Sequence, residues 1–445
     1  MPTSKKSSPK KSPEAVNAPI KPIPPTLKPQ QRSLDTQFTS IIQSARRVAP
    51  EMINAILTDS LNYRASDIHF EPQPKDVLVR FRVDGVLQEA GRIPREHYEN
   101  ILNRIKVLSH LRTDEHFCAQ DGSIRYEHEK LAIDMRISII PILDGEKIAI
   151  RLLHGYIKEV TLDNLGFSKP DQEILLKASQ KPFGMILVTG PTGSGKTTTL
   201  YALLNILNRP GVNITTIEDP VEYKISGANQ IQVNIQTNLT FAKGLRSIVR
   251  QDPDIVLVGE IRDHETAEIA VNAALTGHLM LSTFHANDAA TAVPRLLDMD
   301  VEPFLLTSTL EIVIAQRLVR KLCEGCRTQE TVTVEQISKQ LPNAKDFFPE
   351  GQSTVGRVKG CSACGQTGYK GRIGIFEFIP MSSEIQELIL KNPSTQQMRE
   401  LARKQGSHSL FEDGIEKVKA GITTLEEVLR VAEPPTLAGY GTTKK

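Results

Sequence analysis

Residues 190–197 read Gly190-Pro191-Thr192-Gly193-Ser194-Gly195-Lys196-Thr197, with Thr198 next. This is the pattern G-x-x-x-x-G-K-[ST], in which glycines let backbone N–H groups converge on a phosphate chain. Lys196 is expected to reach the β- and γ-phosphates, and the Thr197 hydroxyl to hold Mg²⁺. Such a loop dictates its flanks, a strand before and a helix after. Met185-Ile186-Leu187-Val188 supplies an apolar strand, and Thr198–Leu204 a helix whose N-terminus faces the anion. A chance glycine-rich turn would not be expected to show that order. The residues 190–198 are therefore expected to bind ATP with Mg²⁺.

Three further apolar runs end in polar residues. The run 213–217 ends in Glu218-Asp219-Pro220, 254–258 in Gly259-Glu260, and 279–282 in Thr283-Phe284-His285. Continuous apolar runs mark a sheet covered on both faces, and ligands of open α/β sheets lie beyond the carboxyl ends of the strands. Lys196, Glu218, Glu260 and His285 are thus expected to converge on one nucleotide. Hydrolysis needs a carboxylate to orient or deprotonate water, and Glu260 is expected to do so; the alternative is a structural salt bridge with Arg262. Glu218 or Asp219 is expected to contact Mg²⁺ through water or to place the attacking water. His285 is expected to sense the γ-phosphate, against an ordinary structural role. Arg246 and Arg250, spaced i, i+4, share one face of an expected helix. Arg136 and Arg151 fall on strands of an earlier module. Each reads either as a surface arginine or as a finger supplied by another domain or subunit.

Around this core, residues 1–33 form a basic, Pro-rich tail expected to be disordered; residues 1–32 hold seven Lys/Arg against one acid and eight Pro. An α+β module is expected over 34–155. Its readings are a helix over 34–65, strands around 77–83 with an Asp84-Gly85 hairpin, a helix near 95–111, a turn at Asp121-Gly122, and strands near 131–140 and 146–153. A connection over 156–182 contains a helix near 170–179. The ATPase core follows over 183–320, a cysteine subdomain over 321–371, a helical region over 372–432, and a second tail over 433–445.

Cys323 and Cys326 form one C-x2-C pair, Cys361 and Cys364 another, 34 residues apart. Two such pairs supply four thiolates for tetrahedral Zn²⁺ in a closed, structural site. The gap exceeds the ~15–20 residues of a zinc ribbon, which implies an inserted helical loop over 332–350. Redox dithiols are the rival reading. Cys118 stands alone and is read as inert. No run of about 18 uncharged apolar residues suggests a membrane span, and no secretory signal is evident, so a cytoplasmic location is expected.

On these residues the chain resembles the secretion and pilus-assembly ATPases of the GspE/PilB type. The resemblance covers about 48–432. Ser66-Asp67-Ile68-His69-Phe70-Glu71-Pro72 and Arg80–Gly85 resemble the family's N-terminal module. Gly190–Thr197 resembles its Walker A loop, Thr216–Glu222 its aspartate box, Arg250–Asp254 with Val258–Asp263 its Walker B block, and Thr276–His278 with Ser282–Asn287 its histidine box. Gln316–Cys323 and Gly368–Arg372 resemble its C-terminal stretch.

The resemblance implies an α/β fold, with a RecA-like P-loop NTPase core behind a smaller α+β, PAS-like module. It implies a homo-hexameric motor in which Arg136, Arg151, Arg246 and Arg250 surround the nucleotide. It implies work with an inner-membrane platform protein and cytoplasmic docking proteins, at the periphery of the cytoplasmic membrane. It also warns against reading Asp67, His69 and Glu71 as a metal site. Two features depart from the family. Only a 33-residue tail precedes the first helix, where a membrane-docking domain is common, and Ala119-Gln120-Asp121-Gly122-Ser123 replaces a usual Pro and Arg.

The leading expectation is a motor for assembling a type IV pilus or type II secretion pseudopilus, with retraction as the alternative within the superfamily. A zinc-containing nucleic-acid ATPase is the reading from another class. A net charge of +2, 5% aromatic residues and no Trp argue against it. A non-hydrolysing scaffold is disfavoured by the intact Lys196 and Glu260.

Overall fold

A computed structural model describes residues 34, 36, 49–128, 131–153 and 161–435. The expected tail over 1–33 lies outside them, as do residues 436–445. The first sheet comprises β1 (Ala65–Pro72), β2 (Asp76–Val83), β3 (Val86–Pro94), β4 (Gln120–His128), β5 (Leu131–Ile142) and β6 (Gly145–Leu153), all antiparallel, in the order β3-β2-β1-β6-β5-β4. Alternation sets its faces: Val77, Val79 and Phe81 are buried, while Arg80 and Arg82 look out. The buried face carries the helices Ala49–Asn62 and Arg95–Leu108, through Met52, Ile56, Ile101 and Ile105.

Two expectations change here. Of the helix expected over 34–65 the described part is Ala49–Asn62, and residues 35 and 37–48 lie outside the described residues; Leu34 donates its N–H to the Glu89 carbonyl and Thr36 its hydroxyl to that of Ala90. Leu34 and Thr36 thus lie along β3 and are not helical. Asp121-Gly122 is not a turn but lies inside β4. A Cβ on Gly122 would stand 2.7 Å from the Ser109 carbonyl oxygen, so this glycine serves close packing.

The second sheet comprises β7 (Gly184–Thr189), β8 (Ile214–Glu218), β9 (Asn229–Gln232), β10 (Ile255–Val258), β11 (Leu279–Phe284), β12 (Leu310–Leu322) and β15 (Tyr369–Pro380), in the order β15-β12-β7-β11-β10-β8-β9. Strands β12 to β9 in that order run parallel, and β15 is an antiparallel edge. β7, β8, β10 and β11 are buried along their whole length, because helices cover both faces.

Between the cysteine pairs lie β13 (Thr328–Thr333) and β14 (Gln352–Arg357), an antiparallel pair enclosing the short helices Val334–Ser338 and Ala344–Phe347. The expected helical loop is therefore a hairpin with helices in its connection. Its Val332, Ile337, Leu341 and Phe347 share one core with the main sheet and with Ile385, Met398, Phe411 and Val428 of the C-terminal helices. β12 and β15 run across the expected divisions at 320 and 371.

Candidate nucleotide and metal sites

The phosphate loop is built by its neighbours. Gly190 closes β7 at φ 151°, and a Cβ there would meet the Gln316 carbonyl and the Ser194 hydroxyl, each at 2.6 Å. Gly195, at φ 88°, opens the helix Lys196–Leu207. The Lys196 ammonium is buried and donates to the carbonyls of Gly190 (2.9 Å) and Pro191 (3.1 Å). Burial draws its pKa down, opposed by the charge of Glu260. Thr189 Oγ1, Ser194 Oγ and Gln316 Nε2 are buried around the loop without hydrogen-bond partners. Buried polar atoms rarely stay unpaired, so this loop has spare donors for an anion.

The carboxyl ends of β8, β10 and β11 meet beside it. The Thr283 hydroxyl donates to the Gly259 carbonyl (2.7 Å), and the Ile261 N–H to the Thr283 carbonyl (3.0 Å). Glu260 contacts Arg262, and its second oxygen lies 3.0 Å from His285 Nε2. Burial would raise its pKa, but hydrogen bonds and charge from Arg262 and His285 hold it below the ordinary value. The salt bridge with Arg262, the alternative reading of Glu260, is therefore present, and the charge of Glu260 also acts on the loop lysine. Glu218 is buried, and burial raises its pKa despite hydrogen bonds from Thr216 (2.6 Å), Tyr201 and Gln230 (3.4 Å). Both of its oxygens thus already accept hydrogen bonds within this chain.

The arginines divide. Arg136 and Arg151 are cross-strand neighbours on the outer face of the first sheet. Arg136 donates to the Val221 carbonyl (3.1 Å), just past Glu218-Asp219-Pro220, so the first module reaches this chain's own strand-end loop. Arg151 pairs with Asp67 (3.2 Å). Arg246 pairs with Glu265 (2.7 Å), and Arg250 lies past the end of the helix Phe241–Ile248 beside Ser247. Within one chain neither of these two is brought to the loop. Sequence reasoning missed Tyr201, Gln316 and Arg317. The first is a core aromatic by pattern, and the others reach the loop only through the pairing of β12 with β7.

The four cysteines come together. Their sulfurs all lie within 4.8 Å of one another, with 3.8 Å between Cys323 and Cys361 and between Cys326 and Cys364. Zn–S bonds of about 2.3 Å in a tetrahedron place sulfurs about 3.8 Å apart, so the donor set fits zinc. Burial would push the Cys364 thiol up, yet N–H donors of Cys361 and Gly368 (each 3.2 Å) bring it down to about 7. Among the described residues this is the one His/Cys/Asp/Glu group with ligand-like spacing. Asp67 and Glu71 are instead engaged by Arg82, Arg151, Arg80 and Lys147. No described helix is long and apolar enough to cross a membrane.

The family described as "Type II/IV secretion system protein" matches residues 43–430. The chain is 47% identical over 380 residues to type II secretion system protein E of Pseudomonas aeruginosa, covering 85% of this chain and 74% of that protein. It is 44% identical over 387 residues to the type IV pilus assembly ATPase PilB of Myxococcus xanthus, covering 86% and 68%. Among solved structures it is similar to the pilus retraction motor PilT with bound ADP, at a TM-score of 0.58 and 25% identity over 85% of this chain and 96% of that one. The Legionella pneumophila ATPase DotB shares the fold, at a TM-score of 0.65 and 19% identity over 87% and 97%. With its phosphate loop, strand-end carboxylates and tetracysteine cluster, the chain belongs to the type II/IV secretion system family and is an ATPase of the GspE/PilB kind.

Proposed function

We propose that the protein is a hexameric motor that powers assembly of a type IV pilus or a type II secretion pseudopilus. The carrying observation is the meeting of Lys196, Glu260 and His285 at the ends of β7, β10 and β11, in a chain 44–47% identical to relatives named for secretion and pilus assembly. The tetracysteine cluster supports assembly over retraction. Lys196 and the loop N–H groups would hold the triphosphate, Thr197 would hold Mg²⁺, and Glu260 would activate water. His285 couples Glu260 to the γ-phosphate. Glu218 would hold Mg²⁺ through water or place the attacking water. Arg136, with Arg151 beside it, brings the first sheet to the nucleotide, so hydrolysis moves sheet against core. Arg246 and Arg250 act across a subunit boundary. Zinc at the cysteines is structural. The partners are a membrane platform protein and docking proteins at the cytoplasmic face, without nucleic acid.

Light scattering combined with ATPase assays tests the ring. Hydrolysis is expected to rise with a species of six-fold mass and to be indifferent to added DNA. Full activity from a strictly monomeric species, or strong stimulation by DNA, contradicts the proposal.

A further inference from the structure

Arg317 follows Gln316 on β12, just beyond Ala315, which pairs with Thr189 at the end of β7. Its guanidinium is half-buried against the loop, and Nη1 stands 3.2 Å from the position of a Cβ on Gly190. Gly190 is also the residue whose carbonyl receives Lys196, so two cations share this end of the loop. Their mutual repulsion contributes to the lowered pKa of Lys196.

Arg317 forms no ion pair among the described residues. Nη1 donates to the Gln316 carbonyl (3.0 Å) and Nη2 to that of Asn287 (2.6 Å). The acids nearest in charge effect do not neutralise it. Asp288 is taken by Arg399 (2.7 Å) and caps the helix Ala289–Leu297 through the Thr291 N–H (2.8 Å). Glu377 is buried and pushed toward its protonated form. Beside Arg317, the fully buried Gln316 Nε2 has no partner and lies 2.8 Å from the position of a Cβ on Gly195. A half-buried cation and an orphaned donor at a phosphate loop are both satisfied by an anion.

We propose that Arg317 is the same-chain reader of the terminal phosphate of ATP, exchanging its Asn287 carbonyl contact for that phosphate. The exchange has a consequence in place. The segment His285–Asp288 is gripped by Arg295 on the His285 carbonyl, Arg317 on the Asn287 carbonyl and Arg399 on the Asp288 carboxylate. Release of the middle grip lets His285, and through it Glu260, respond to the phosphate. It also links the nucleotide to the helix Thr395–Lys404, which carries Arg399. Arg317 is thus a phosphate-binding residue that also releases the His285–Asp288 segment.

Displacement of a fluorescent ADP analogue by ATPγS, ADP and AMP tests this on the full chain. Arg317→Gln is expected to weaken ATPγS by about tenfold or more, ADP by less and AMP not at all, in keeping with loss of one charge-assisted contact. Arg317→Lys is expected to recover part of the ATPγS preference, since it keeps the charge and loses the fork. Equal losses for all three nucleotides, or none, overturn the proposal. Should Arg317→Gln fail to fold, hydrogen exchange on the wild-type protein decides. Residues 285–289 are then expected to change exchange with ATPγS and not with ADP, and identical exchange in both overturns it.

Discussion

Two buried glutamates respond to acid in opposite directions. Burial and the nearby Asp288 push Glu377 up from its ordinary 4.5 to about 8, against a long hydrogen bond from the Ala289 N–H (3.5 Å) and the charges of Arg399 and Arg403. Between those values the folded state binds more protons than the unfolded one, so this carboxyl removes stability as pH rises through the window. Glu377→Gln is expected to melt several degrees above the wild type at pH 8 and level with it near pH 4.5. Equal melting at both values contradicts the buried, protonated reading. Glu427 is the reverse case. Burial would raise it, but Arg320 (2.6 Å) and Arg430 (2.8 Å) hold it down at about 2. Its contribution is present above 4.5 and is lost as pH falls toward 2. Glu427→Gln is therefore expected to lower the melting point at pH 7, with the gap closing in acid.

Among the elements, the hairpin between the cysteine pairs has the clearest structural consequence. Val332, Ile337, Leu341 and Phe347 anchor it in the main core, so the metal need not hold it alone. Cys323→Ser or chelation is expected to release zinc and expose 358–368 to proteolysis, while the main thermal transition shifts by a few degrees at most. Absence of zinc from protein purified under reducing conditions, or unfolding of the whole core on chelation, contradicts this. The phosphate loop and the four strand ends were legible because their signals are local: an apolar run followed by Gly-Lys-Thr, Glu or His. The hairpin was harder to read because β13, Thr-Gln-Glu-Thr-Val-Thr, buries only Val332 and carries little apolar alternation. Asp121-Gly122 reads as a turn because nothing in the sequence places the Ser109 carbonyl against it. Gln316 and Arg317 were legible only as a motif. Their place at the loop depends on the register of β12 against β7, which no local pattern encodes.

At the scale of the molecule, the first sheet touches the rest at points relevant to a motor. Arg136 meets the Val221 carbonyl, and Asp84, at the tip of the β2–β3 hairpin, accepts from the Gly371 N–H (2.8 Å) at the edge strand β15. Arg136→Ala is expected to keep nucleotide binding and oligomeric mass while lowering turnover on the order of 10³-fold, as for an arginine finger. Near wild-type turnover would detach the first sheet from the chemistry. The central claim is that the ends of β7, β10 and β11 form one hydrolytic site with Glu260 as its base. The direct measurement compares ATP binding and steady-state hydrolysis in Glu260→Gln, Glu218→Gln and Lys196→Ala. Glutamine keeps the reach of Glu260 but cannot take a proton. Glu260→Gln is expected to hold ATP while losing about 10²–10⁴-fold in rate, and Lys196→Ala to lose ATP binding or hydrolysis without unfolding. Hydrolysis near the wild-type rate in Glu260→Gln, with Glu218→Gln inactive, would contradict the account and move the base to the end of β8.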